Sequence, residues 1–198
     1  MTKRTVALSQ TDVSFPAERT DCDGLIKPAP LSERGFSLRT ARDADLPWLR
    51  DLYASTRAEE MAPVPWPEAT KRAFLDQQFK LQHHHFVGHF PHADFWLIVG
   101  ARGPIGRLYR DRALLGDSRP ADDLIVDICL LPEWRGLGMG SLLLEAAQAS
   151  AAVRQRGLRL HVQVHNPRAM ALYRRLGFAR VDAADATGSH IEMRWTAG

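Results

Sequence analysis

Seven consecutive residues, Arg135-Gly136-Leu137-Gly138-Met139-Gly140-Ser141, set three alternate glycines between an apolar run and a helical pattern. In such a connection, successive backbone N–H groups and the positive end of a helix face one point. The missing Cβ atoms let an anion come close. The chemistry on offer is phosphate binding. Two familiar phosphate turns do not fit. A P-loop needs a lysine, and none occurs after Lys80. A dinucleotide fingerprint needs a third glycine where Ser141 stands, and an acid near the end of the next strand, which reads Val162-Gln163-Val164-His165. Taken alone, the turn leaves a phosphate cradle and a merely tight connection both open.

Groups able to move a proton flank this turn. In Asp123-Leu124-Ile125-Val126-Asp127-Ile128-Cys129-Leu130 the even positions are all apolar, which puts Asp123, Asp127 and Cys129 on the other face of a strand. A carboxylate in a buried strand acquires either a raised pKa or an arginine partner. The first outcome makes Asp127 a general base and the second a structural ion pair. His161, Gln163 and His165 alternate with valines, with His165 a weaker candidate base. Five histidines lie between His83 and His92, and His85 and His89 are one helical turn apart. No cysteine or carboxylate joins them at a familiar ligand spacing before Asp94, so no metal is expected, and the cluster reads as a solvated helix end or a wall of a substrate site.

The elements that must position these groups follow from periodicity. A strand over 36–40 precedes Asp43, a candidate N-cap, and a first helix over about 44–60. Pro63, Pro65 and Pro67 interrupt, and a second helix starts near Glu68. Phe95–Val99 and Ile105–Arg110 make a hairpin across Arg102-Gly103-Pro104. Leu124–Leu131 reads as a central strand buried on both faces, followed by a helix from Ser141 and a parallel strand, Leu158–Val164. Asn166-Pro167 is a cap and first-turn pair for a helix closed by Gly177, and Phe178–Val181 and Ile191–Trp195 complete the set. Residues 1–35 show no sustained periodicity and read as an extended or partly disordered lead-in without chemistry.

Composition narrows the function classes. The 198 residues carry a net charge of +3, yet the segment from Trp134 to Arg180 holds eight arginines against Glu145 alone. Such a segment suits a polyanion, either nucleic acid or a phosphorylated small molecule, or is a solvated face. Nucleic acid ranks last, because only Trp134, Tyr173 and Phe178 are aromatic there, which is no stacking series. No apolar run reaches the roughly 18 residues of a membrane span. No secretory apolar region opens the chain, and the two cysteines, Cys22 and Cys129, are too few for a disulfide framework, so a soluble cytoplasmic protein is expected.

Two motifs in register resemble the GCN5-related N-acetyltransferase (GNAT) family. Arg135-Gly136-Leu137-Gly138-Met139-Gly140, preceded by Leu131-Pro132-Glu133-Trp134, is similar to its acyl-CoA motif. Asn166-Pro167-Arg168-Ala169-Met170-Ala171-Leu172-Tyr173-Arg174-Arg175-Leu176-Gly177-Phe178 is similar to its second signature. The stretch Leu38 to Pro47 also looks like the family's opening strand and helix, so the resemblance covers about 36–196.

The resemblance implies an α/β fold with a mixed central sheet, helices on its faces and two splayed parallel strands that admit the pantetheine arm of acetyl-CoA. It divides the chain into an extension, 1–35, and an acetyltransferase domain, 36–198. It implies a cofactor site made by Leu130, Leu131, Arg135, Gly136, Leu137, Gly138, Met139, Gly140, Ser141 and Asn166. Tyr173 would serve the departing thiolate and Asp127 would be the base, in direct acetyl transfer from acetyl-CoA to a primary amine within a ternary complex. A homodimer is compatible with this reading. The rival is a non-catalytic acyl-CoA-binding regulator on the same scaffold.

Overall fold

The computed structural model describes residues 13–17, 29–112, 122–181 and 189–197. A seven-stranded mixed sheet runs in the order β1-β2-β3-β4-β5-β7-β6. Its strands are β1 (Ser37–Thr40), β2 (Asp94–Gly100), β3 (Gly103–Asp111), β4 (Asp123–Leu130), β5 (Leu158–Gln163), β6 (Ala179–Arg180) and β7 (His190–Trp195). The helices are α1 (Ala29–Glu33), α2 (Leu46–Thr56), α3 (Ala58–Met61), α4 (Glu68–His89), α5 (Met139–Val153) and α6 (Pro167–Arg175). Among the described residues only β4 and β5 pair in parallel, as expected from the helical crossover α5 between them.

Each face of the sheet has its own core. On one, α5 and α6 bury Met139, Leu143, Leu144 and Tyr173 against Leu108, Ile125, Leu160 and Val162. On the other, α2 and α4 bury Leu49, Leu52, Leu75 and Phe79 against Phe95, Leu97 and Tyr109.

Several expected boundaries shift for local reasons. The 3-10 turn Asp43–Asp45 leads into α2, and its start is held by the Asp45 carboxylate accepting the Arg42 N–H at 2.8 Å; Asp43 instead accepts the Phe15 N–H at 2.8 Å. The first expected helix is divided at Arg57, whose N–H reaches back to Ala54. Helix α4 runs on through the histidines to His89, burying His83 within its apolar stripe. Residues 29–33, expected as extended lead-in, form a helical turn whose Leu31 enters the core. Cys22 lies outside the described residues.

The feature that shapes the site is a bulge in β4. Tyr109 pairs with Asp127 but Arg110 pairs with Ile125, so Val126 is an extra residue. The extra residue reverses the alternation, which corrects the expectation that Asp123 and Asp127 share a face. Asp123 turns toward α5, between Arg110 and Arg154, while Asp127 turns toward α4. The expectation of a strand buried on both faces holds only for Asp123–Ile125; from Val126 onward β4 is half-buried.

Candidate functional site

Parallel pairing of β4 with β5 ends at the bulge. It spans Asp123–Ile125 against Leu158–Leu160, although both strands continue, β4 to Leu130 and β5 to Gln163. Beyond Ile125 they part. The Leu131 N–H donates to the Ile105 carbonyl at 2.9 Å. By antiparallel alternation, Ile128 and Leu130 therefore turn their own N–H and C=O groups away from β3 and into this gap. The Leu130 carbonyl accepts from Arg135 Nε at 2.9 Å. Leu131 uses its N–H on Ile105 and its C=O on the Trp134 N–H, and its side chain packs against the core under α2 and α4.

The glycine turn closes one end of the gap. Gly136 (φ +75°) and Gly138 (φ +81°) take left-handed conformations costly to side-chain-bearing residues. Gly138 is the N-cap of the 15-residue helix α5, and no side chain caps it. The first N–H groups of α5 thus lie beside an exposed turn, Arg135–Gly138, at the positive end of the helix. An anionic group fits here: the donors are present, and the turn has no Cβ at Gly136, Gly138 or Gly140 to obstruct it.

At the opposite end lie Tyr173 and Asp127. The Tyr173 ring is 7% exposed in the core of α5 and α6. Burial, and secondarily the charge on Asp127, push its hydroxyl pKa up to about 12. Asp127 accepts from Arg107 Nε at 2.7 Å, and Arg107 Nη2 also donates to Gln82 Oε1 of α4 at 2.7 Å. Of the two outcomes open for this carboxylate, an arginine partner is the one found. Burial alone would lower the Arg107 pKa, but Asp127 raises it overall. The guanidinium also lies over the rings of Phe86 and Tyr109, at 5.7 and 5.1 Å from their centroids. Cys129, on the same face, has its thiol pKa pushed up to about 11 by burial.

Asn166 caps α6 through its side-chain oxygen, which accepts the Ala169 N–H at 3.1 Å, and the residue is exposed. His165 is exposed in the turn before it, and His161 Nε2 is 3.8 Å from Glu192 Oε2. Among the described residues no cluster of three or more metal-ligating side chains occurs, and no helix is long and apolar enough to cross a membrane. Arg107 and Gln82 escaped the sequence reading because 25 residues separate them and neither lies in a motif.

Residues 91–180 match the family described as the acetyltransferase (GNAT) domain, which spans β4, the glycine turn, α5, β5 and α6. The recognition made from the two motifs thus holds, since both motifs lie within the residues that match that domain family. The fold is similar to that of an acetyltransferase from Thermus thermophilus (TM-score 0.59, 20% identity, covering 82% of this chain and 97% of that one). It is similar also to the PaiA N-acetyltransferase from Thermoplasma acidophilum, solved in complex with coenzyme A (TM-score 0.58, 18% identity, covering 82% and 99%). A third likeness is to a putative phosphinothricin N-acetyltransferase (TM-score 0.56, 21% identity, covering 82% and 99%). No curated protein sequence matches the chain.

Proposed function

We propose that this protein is an N-acetyltransferase that moves an acetyl group from acetyl-CoA to a primary amine by direct attack in a ternary complex. The observation that carries the reading is the gap opened by the Val126 bulge, ending at the uncapped, glycine-started N-terminus of α5. On this half-buried edge the Leu130 carbonyl is met by Arg135, but the remaining N–H and C=O groups that face no neighbouring strand favour something polar and extended in the gap. A pantetheine arm has that shape and those amides, and its diphosphate suits the N–H groups of Gly136–Ser141. Asn166, whose side-chain oxygen is used by the cap of α6, contacts the same arm through its amide NH2.

When bound, acetyl-CoA supplies an acetyl thioester; the C–N bond forms as the C–S bond breaks. Tyr173 keeps its proton, because burial raises its pKa, and donates a hydrogen bond to the departing sulfur. The arginine partner engages only one oxygen of Asp127, Oδ2, so the ion pair and the base role coexist: Oδ1 takes the proton lost by the amine. Arg107, braced by Gln82, fixes the direction of that carboxylate.

The test is titration calorimetry with coenzyme A, followed by an acceptor panel with acetyl-CoA monitored by free-thiol release. Saturable binding and amine-dependent thiol release are expected. Binding without release from any amine would favour the non-catalytic rival, and absence of binding would sink both.

A further inference from the structure

Arg34 lies outside the matched domain, in a stretch to which the sequence assigns no chemistry, yet it reaches the glycine turn. Its Nη1 donates to the Leu137 carbonyl at 3.3 Å, and the same atom lies 3.8 Å from the place a Cβ on Gly138 would occupy. Anchors on both sides hold it there. Leu31, 1% exposed, is buried in the cluster that contains Met139 and Leu143 at the start of α5. The chain then reverses through Gly35 (φ +77°), with the Gly35 N–H on Ser32 and the Phe36 N–H on Leu31, both at 2.9 Å. Immediately after, Phe36 sets its ring edge-on to Trp134, centroids 5.3 Å apart, one residue before the turn begins. A five-residue helix has little stability of its own, so the buried leucine and the aromatic pair are what station the guanidinium at this point.

We propose that Arg34 is a diphosphate-binding residue, forming with the N–H groups of Gly136–Ser141 a two-sided seat. The inference rests on the reading of that turn as the seat for coenzyme A. The Leu137 carbonyl accepts one of five guanidinium N–H donors, and the planar fork matches two phosphate oxygens at once. By bonding Leu137, Arg34 also offsets a carbonyl dipole that would otherwise repel an anion lying on the turn. Its contacts are with the turn itself, which assigns it to the diphosphate rather than to the 3′-phosphate of the nucleotide.

The test is calorimetric titration of the full-length protein and its Arg34→Ala, Arg34→Gln and Arg34→Lys variants with three probes. These are coenzyme A, dephospho-coenzyme A, which lacks the 3′-phosphate, and pantetheine, which has no phosphate. Arg34→Ala and Arg34→Gln should weaken the first two equally, by about tenfold, and leave pantetheine unchanged. Arg34→Lys should restore only part, since an ammonium cannot form the bidentate contact. A wild-type protein that does not bind coenzyme A would remove the seat and this inference together. Wild-type binding that the Ala and Gln variants match would overturn the role of Arg34 while the seat stands. A loss seen with coenzyme A but absent with dephospho-coenzyme A, or a loss extending to pantetheine, would overturn the assignment to the diphosphate.

Discussion

Replacing Tyr173 with Phe removes its hydroxyl and leaves the ring that packs the core of α5 and α6. The pKa raised to about 12 decides what that oxygen does. Handing its proton fully to a thiolate, whose acid has an ordinary pKa near 8.5, would be uphill by roughly 5 kcal/mol; for an unperturbed tyrosine the figure is roughly 2 kcal/mol. Burial therefore makes Tyr173 a worse proton source and a lasting hydrogen-bond donor. A donor aimed at charge that develops as the C–S bond breaks contributes about 3 kcal/mol to the barrier, on the scale of oxyanion-hole donors. We expect Tyr173→Phe to lower kcat about 100-fold, measured by free-thiol release with saturating amine, while the KM for acetyl-CoA moves less than about threefold. The thermal midpoint should change by no more than a few degrees, since no buried volume is lost. In the wild type, kcat should show no loss of activity through pH 10, where an ordinary tyrosine would titrate. The raised value keeps the hydroxyl protonated there, and the loss belongs nearer pH 12. Equal turnover in both proteins would refute the role; a wild-type kcat that falls with a midpoint near 10, with no such fall in the variant, would refute the raised pKa.

Three further outcomes follow from the same geometry. Gly138→Glu places a side chain and a negative charge at a left-handed position on the proposed seat, so coenzyme A binding should vanish in calorimetry; retained affinity would count against the seat. Asp127→Ala strands the Arg107 guanidinium, whose side chain is 4% exposed, and should cost about 3–5 kcal/mol in urea unfolding, more than Arg107→Met, which leaves behind a carboxylate that water still reaches. The reverse order would show that the pair is not what stabilises this region. With its pKa pushed to about 11, Cys129 is ionised in only about one molecule in a thousand at pH 8. In a Cys22→Ser background its alkylation should be slow there and accelerate about tenfold per pH unit up to 11; fast labelling at pH 8 would contradict the burial.

Much of the arrangement could be read without coordinates, because it rests on short-range rules. Alternate glycines announce a turn with left-handed positions, and Gly136 and Gly138 adopt them. An Asn-Pro pair announces a helix start, and Asn166 caps α6 with its side chain. A strand, a glycine turn, a helix and a second strand announce a parallel crossover, and β4 and β5 pair in parallel. These depend on the backbone preferences of neighbouring residues, so nothing beyond the local sequence is needed to state them.

What the tertiary structure alone decided depends on residues far apart in the chain. The Val126 bulge exists only relative to β3, where one fewer residue spans the same length, so simple alternation put Asp123 and Asp127 on one face when the bulge sends them to opposite faces. That the Asp127 carboxylate meets an arginine through one oxygen rather than standing alone in the sheet depended on Arg107, twenty residues earlier, and on Gln82 of α4 behind it. The reach of Arg34 to Leu137 crosses 103 residues and is set by where Leu31 is buried. Periodicity reports which residues face inward; which charges meet there is a property of the packed sheet.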